Sequence, residues 1–334
     1  MISLNNEPCC VCGNTGSEVM SEATYPEHGY PGSFILRKCA GCGLLFNSPR
    51  LEGKELSDLY GKNYYFFNRK DSKEFQRIVS MYRRTLGMLK TLPEPKRSID
   101  IGSGRCYFPA VLKEMGWDAQ AIEISPGPAD YGRKQFGLKV FTGTVEQYAE
   151  WSAAEQFPLV TAIDVIEHVP SPNDFVAAIA KITEPDGRVI VDTPHAGAFN
   201  ITPLGPWWKG FNPFHIYLFT IANLSLLLEK HGFEIEGAFS YGNMRADDAG
   251  VPLKDRAYRI AKTVLGPVGL LGPLVHLSHA IHQKTYTNGD PAPLVKAAAS
   301  QIQAKPSWIS SRDATAPLAK TNTGDNIIVV ARKK

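Results

Sequence analysis

The chain has 334 residues, room for one large domain and a small one. Its 36 basic and 33 acidic residues leave a formal charge of +3, short of the bias of a nucleic-acid-binding surface. Apolar residues make up 43% of the chain, enough for an ordinary core, and no basic start followed by an apolar run marks a signal peptide, so the expected compartment is the cytoplasm.

Four of the six cysteines form two C-x-x-C-G knuckles, Cys9 with Cys12 and Cys39 with Cys42. In such a turn two thiolates converge on one side, and the glycine that follows permits the tight backbone. Two knuckles supply four sulfurs for a tetrahedral zinc, which leaves no open position and is therefore structural. This usage suits a reducing cytosol better than a disulfide framework does. The 26 residues between the knuckles have room for a hairpin, with strands expected at 34–38 and 44–46. Cys10 could compete with Cys9. A redox pair is the other reading of C-x-x-C, and nucleic-acid contact finds only Arg37 and Lys38 to work with. Residues 1–47 are thus read as a zinc ribbon.

Residues 48–96 read as a linker and helical lid. Tyr64, Tyr65, Phe66 and Phe67 either pack between the ribbon and the main domain or cover a site. Over 72–92, Phe75, Ile78, Val79, Tyr82, Leu86 and Leu89 share one helical face, and Pro93 and Pro95 end it.

The most informative stretch is 97–123. A short apolar strand at 98–101 enters the turn Gly102-Ser103-Gly104. A helix follows, with Phe108, Val111, Leu112 and Met115 at i, i+3, i+4 and i+7, and Gly116 stands where a terminal glycine belongs. A second strand, 119–122, ends on Glu123. A strand, glycine loop, helix, strand and acid in this order can hold an adenosine-containing cofactor at the edge of a parallel sheet. A dinucleotide loop wants a third glycine three residues after the second, but Tyr107 stands there. Asp100, two residues before the first glycine, would repel a pyrophosphate and attract a sulfonium bearing an α-amino group.

Further along, 126–136 reads as a helix and 138–141 as a third strand, followed by a loop at 143–147. A buried strand at 159–163 ends on Asp164, with Glu167 and His168 just beyond. Ligands gather outside the carboxyl ends of such strands. Ser171 caps the next helix, with Pro172 at its first position and Asp174 at its third, and Phe175, Val176, Ile179 and Ile182 form its inner stripe. A turn within 184–194 leads into a fifth strand. Trp207, Trp208, Phe211 and Phe214 lie in a proline-rich loop that would bind something or cover a site. Thr220 caps another helix, 234–240 is a sixth strand and 326–331 a last one.

The run DIGSGRC at 100–106, Glu123, and the later order D-x-x-EHV-P, helix, PDGR, strand, TP resemble the class I S-adenosylmethionine (SAM)-dependent methyltransferases, in particular their ubiquinone-biosynthesis-like O-methyltransferase branch. Cys106 stands where that family has its last motif glycine, PDG replaces the usual PGG, and His195 replaces an asparagine. The resemblance implies an α/β fold: a seven-stranded Rossmann-like sheet over 97–240, whose antiparallel last strand, 325–334, pairs beside the sixth. It implies SAM held by Asp100, Gly102 and Gly104, Glu123 on both ribose hydroxyls, Thr144 and Val145 beside the adenine, and Asp164 at the methyl-delivery end. His168 is the natural general base. His215, before an aromatic-Thr helix start, is the second candidate. Asp164, Glu167 and His168 could instead hold a divalent cation such as Mg2+, as some ubiquinone O-methyltransferases do, or Glu167 and His168 could simply cap the next helix and hold the loop.

The pairing of ribbon and methyltransferase is similar to the deoxysugar C-methyltransferases, whose further C-terminal domain this chain is too short to hold. A hydroxyl acceptor on a sugar, glycan precursor or lipid-linked small molecule is therefore expected. A sugar C-methyltransferase, a nicotinamide oxidoreductase and a non-catalytic ribbon interaction protein are the alternatives. Residues 241–324 form an insertion. Within it, 263–281 lacks Asp, Glu, Lys and Arg and reads as a helical cap, a weak membrane-surface contact or a partner interface. Residues 285–324 read as a loose linker.

Overall fold

The structure, a computed structural model, describes residues 8–24, 33–50, 82, 85–89, 93–151, 155–197, 210–241, 291–303 and 324–334. The aromatic run 64–67, most of the helix expected over 72–92, Trp207, Trp208 and the apolar stretch 263–281 lie outside these residues. Of the expected helical face, Tyr82, Leu86 and Leu89 are described and buried.

The N-terminal strands are β1 (Ser17–Thr24), β2 (Ser33–Cys39) and β3 (Leu45–Asn47), an antiparallel meander. Two of them meet the hairpin expectation. β1 was not expected: its sequence SEVMSEAT is polar, and Val19 and Met20 are exposed, so no inner face announces it.

The main sheet contains β4 (Arg97–Ile101), β5 (Asp118–Glu123), β6 (Lys139–Thr142), β7 (Phe157–Ile163) and β8 (Thr183–Pro194). After the short β9 (Tyr217–Leu218) come β10 (Phe233–Tyr241) and β11 (Asn326–Lys333). The spatial order of this seven-stranded sheet is β10-β11-β8-β7-β4-β5-β6. β11 runs antiparallel between β10 and β8, as the resemblance implied, and the neighbours from β8 to β6 are parallel. Chain order departs in opposite directions from β4, towards β5 on one side and β7 on the other. A crevice therefore opens at the carboxyl ends of β4 and β7, where such sheets bind ligands.

The central strands are buried on both faces, so they read as continuous apolar runs rather than alternating ones. Helices α1 (Tyr107–Glu114), α2 (Pro126–Phe136), α3 (Val145–Trp151), α4 (Pro172–Ile182), α5 (Ile221–Lys230) and α6 (Ala292–Gln303) cover them. Phe108, Val111 and Leu112 of α1 are essentially inaccessible. Burying each contributes roughly 1.5–3 kcal/mol. Ser171 accepts from the Asp174 amide, and Thr220 forms a capping box with Asn223, so both expected caps are present.

Three expectations are corrected. Residues 292–303 are not linker but α6, whose Val295, Ala298, Ala299 and Ile302 form a buried stripe packed towards α1. Their spacing is helical, but the alanine and proline content masked it. The loop expected at 143–147 ends at once in α3, capped by Thr144 and Gln147. The turn expected before the fifth strand is an irregularity inside β8, with Asp186 at φ 60.

Candidate active site

β4 delivers Asp100 and the glycine loop to the crevice. Gly102 has φ +65, and a Cβ there would stand 2.5 Å from Val165 Cγ2. Both the conformation and the space therefore demand glycine. The same contact sets the glycine loop directly against the loop that follows β7. The Gly104 amide donates to Glu123 Oε2 at 2.7 Å, and the Ser125 amide donates to Oε1 at 2.8 Å. Glu123 is thus fixed at the end of β5, and each of its oxygens retains a lone pair for a further donor. Thr161 Oγ1 donates to Asp100 Oδ1 at 2.6 Å.

Burial pushes the Asp100 carboxyl up to about 6, and burial also raises Glu123 against its two amide donors. Such a pocket resists an added negative charge and gains from a positive one. A sulfonium with an α-amino group fits it; a pyrophosphate does not. Cys106, in place of the motif's last glycine, keeps the left-handed conformation at φ 60. Its bulk is accommodated because α2 presents Gly132 opposite, where a Cβ would meet Cys106 Sγ at 2.5 Å. Gly102→Ala is expected to abolish cofactor binding while the chain stays folded; calorimetry beside a thermal melt checks this, and unchanged affinity would refute the cradle.

Thr144 caps α3 with its hydroxyl and amide engaged, and Val145 is buried. Both sit at the carboxyl end of β6, one strand beyond Glu123.

The loop after β7 carries the second group. Asp164 adopts φ 53, an uncommon conformation for a residue with a side chain, and is open to solvent. Glu167 is buried; Thr193 Oγ1 donates to its Oε2 at 2.8 Å, while Oε1 has no hydrogen-bond partner among the described residues. That oxygen lies 3.7 Å from His168 Nε2. His168 Nδ1 faces the Phe214 carbonyl at 2.8 Å, and His215 Nδ1 faces the Gly210 carbonyl at 2.8 Å. Carbonyls only accept, so both Nδ1 atoms carry the proton and both Nε2 atoms present a lone pair. The two rings meet edge to face with centroids 4.9 Å apart.

One ligand atom from each of Glu167, His168 and His215 lies within 4.8 Å of the others, a grouping able to hold a cation or to move a proton. Asp164 is not in that grouping, which corrects the cation set expected from sequence; His215, 47 positions beyond His168, takes its place. Burial holds the His168 imidazole down to about 4, and burial with the neighbouring His168 holds His215 down to about 3. Burial, joined by Asp164, raises Glu167 well above the usual carboxylate range.

In the ribbon, Cys9 Sγ lies 3.7 Å from Cys42 Sγ, and Cys12 Sγ lies 3.6 Å from Cys39 Sγ. All four sulfurs fall within 4.8 Å of one another. A zinc–sulfur bond of about 2.3 Å implies tetrahedron edges of about 3.8 Å, so this donor set fits zinc. Cys10 stands outside the group: its thiol hydrogen-bonds Cys9 and holds that thiolate down to about 4. It supports Cys9 rather than replacing it.

The profile of the Methyltransferase domain family matches residues 72–237. The ubiquinone biosynthesis O-methyltransferase of Burkholderia orbicola (strain MC0-3) is 34% identical over 104 residues, 29% of this chain and 44% of that protein. The mitochondrial ubiquinone biosynthesis O-methyltransferase of Schizosaccharomyces pombe is 28% identical over 103 residues, 29% of this chain and 38% of that protein. The chain therefore spans less than half the length of these relatives. A SAM-dependent methyltransferase from Archaeoglobus fulgidus superposes at a TM-score of 0.48 and 14% identity, over 81% of this chain and 98% of that one.

Proposed function

Because residues 72–237 are a class I SAM-dependent methyltransferase domain, we propose that the protein methylates a hydroxyl oxygen of a sugar, glycan precursor or lipid-linked small molecule. The observation that carries this reading is the contact of Gly102 with Val165, which sets the cofactor cradle against the loop bearing Glu167 and His168. The hydroxyl acceptor is favoured by the relatives' printed activity, O-methylation, and by imidazoles whose Nδ1 atoms face carbonyls, which turns Nε2 into the basic nitrogen.

When bound, SAM supplies an electrophilic methyl on a sulfonium. Asp100 would face its cationic amino-acid end, and Glu123 would accept from its ribose hydroxyls. His168 Nε2 removes the acceptor proton, and Glu167, its Oε1 3.7 Å from that nitrogen, holds the loop behind it. Alignment of acceptor and methyl lowers the barrier by roughly 7–11 kcal/mol. An acceptor screen over sugars, glycan precursors and prenylated phenols, reading S-adenosylhomocysteine release, tests the proposal. Release with amine or thiol acceptors alone would overturn it.

A second reading rests on the unpartnered Glu167 oxygen and the two Nε2 lone pairs. A divalent cation held there by Glu167, His168 and His215 would orient the acceptor oxygen. Two imidazoles suit zinc or manganese better than Mg2+. Metal analysis separates the readings: a base-only site predicts one zinc per chain, all of it in the ribbon.

That ribbon zinc, on Cys9, Cys12, Cys39 and Cys42, is structural in this proposal. Apparent binding energies of about 10–16 kcal/mol are typical of such sites. Cys39→Ser should therefore release the metal and lower the melting temperature sharply. Retained zinc with an unchanged melt would remove it from the account.

A further inference from the structure

The ribbon takes a strand from far along the chain. β9, from the loop that bears His215, extends the ribbon as its fourth strand, in the order β1-β2-β3-β9. β3 pairs with β9 antiparallel, Leu45 with Leu218 and Phe46 with Tyr217.

We propose that Asn47 and Arg50, where the chain leaves the ribbon, are positioning residues for the acceptor side of the site, so that the ribbon forms its rear wall. The proposal rests on the methyl-transfer reading above. Asn47 is 1% exposed. Its amide donates to the Ile216 carbonyl at 2.8 Å. Its Nδ2 donates to the carbonyls of His215 at 2.7 Å and Asn212 at 3.1 Å. One side chain therefore spans the turn that holds His215 and grips the backbone of that histidine itself.

Arg50 is 5% exposed. It donates to Tyr217 Oη at 2.9 Å and to the Pro170 carbonyl at 3.2 Å, and its guanidinium lies 5.6 Å from the centre of the Tyr217 ring. Pro170 closes the loop that carries Glu167 and His168. Tyr217 ties the same loop twice more, through its amide to the Glu167 carbonyl at 3.1 Å and its hydroxyl to the Pro170 carbonyl at 3.3 Å. The His168 ring is then set by the Phe214 carbonyl, which belongs to the turn gripped by Asn47. Two loops far apart in sequence carry the two imidazoles, and two ribbon-side residues hold both loops in register. The described hydrogen bonds of Asn47 and Arg50 run to backbone carbonyls and Tyr217 Oη. Their effect passes through backbone, which separates them from catalytic residues.

The test uses the full-length, zinc-loaded protein labelled with 15N, and reads the imidazole nitrogens of all histidines at neutral pH. His168 and His215 should show the Nδ1-protonated neutral pattern that their carbonyl partners impose. Asn47→Ser removes the two side-chain donors. Arg50→Lys keeps the charge but cannot bridge Tyr217 and Pro170 with a planar fork. In each variant the His215 or His168 pattern should move towards a mixed tautomer, while SAM affinity by calorimetry stays at the wild-type value. Turnover on the acceptor found by the screen should fall about tenfold to 10²-fold, the cost of a small misplacement of reacting groups.

If Asn47→Ser does not fold, Arg50→Lys carries the same reading. Folded variants whose histidine spectra match wild type would overturn the proposal, whatever their activity. Wild-type protein that binds no SAM would sink the methyl-transfer reading instead, and the spectra would still decide the role of Asn47 and Arg50.

Discussion

Glu123→Ala lowers SAM affinity by about 10²-fold or more, and no substitution in the glycine loop makes the protein bind NAD instead. The carboxylate stands at the end of β5 with one backbone amide on each oxygen, from Gly104 and Ser125. Those donors leave one direction open on each oxygen, towards the crevice where two ribose hydroxyls would lie. Hydrogen bonds to a charged acceptor are worth about 1.5–3 kcal/mol each, so losing two reaches the stated factor. The alanine also leaves the Gly104 amide without its acceptor and loosens the loop. Asp100→Ala acts on the same equilibrium through charge: it removes the carboxylate that burial has already brought to about 6 and that a cation would stabilise in its ionised form. The expected order of damage is Glu123 before Asp100, because Asp100 contributes attraction and Glu123 contributes directed bonds. Calorimetry with SAM and NAD in parallel reads both. Wild-type affinity for SAM in Glu123→Ala, or measurable NAD binding, would remove the adenosine site from this crevice.

How much of this was legible in the sequence follows from the range of the forces involved. The unit at 97–123 was, because its strand, turn and acid are set by neighbours within a few residues. The two knuckles were legible for the same reason. His215 was named from a local helix-start pattern, but its meeting with His168 was not readable: the partners are joined by carbonyls of residues 210 and 214, and backbone carbonyls have no sequence signature. The same holds for Asn47, whose partners lie more than 160 positions away. Cys106 looked like a weakness in the glycine motif. Its explanation, a missing Cβ at Gly132, sits on a different helix. The lowered basicity of His168 was not legible either, since burial is not visible until the loops close over it.

The lowered basicity of His168 gives the second large effect its form. His168→Ala should reduce turnover by about 10²-fold or more with SAM affinity unaltered, the size typical of a lost general base. His168→Gln, which restores bulk without a titratable nitrogen, should do no better. In the wild type, the acidic limb of kcat/KM reports the free-enzyme base. With the folded imidazole at about 4, the base stays unprotonated well below the 6.5 of an ordinary histidine, so activity should persist through pH 5. The sign follows from the cause: burial disfavours the imidazolium, so more acid is needed to block the lone pair. A weaker base also pulls less on a hydroxyl proton at neutral pH. Glu167 Oε1 stands 3.7 Å from His168 Nε2, but burial and Asp164 favour the neutral carboxyl, so it positions the loop rather than supplying charge. Glu167→Gln, neutral and of the same shape, should therefore lower turnover far less than His168→Ala does. A limb near 6.5 or near-wild-type turnover in His168→Ala would take the proton away from His168. In that event His215, its ring in contact with His168, is the next nitrogen to remove.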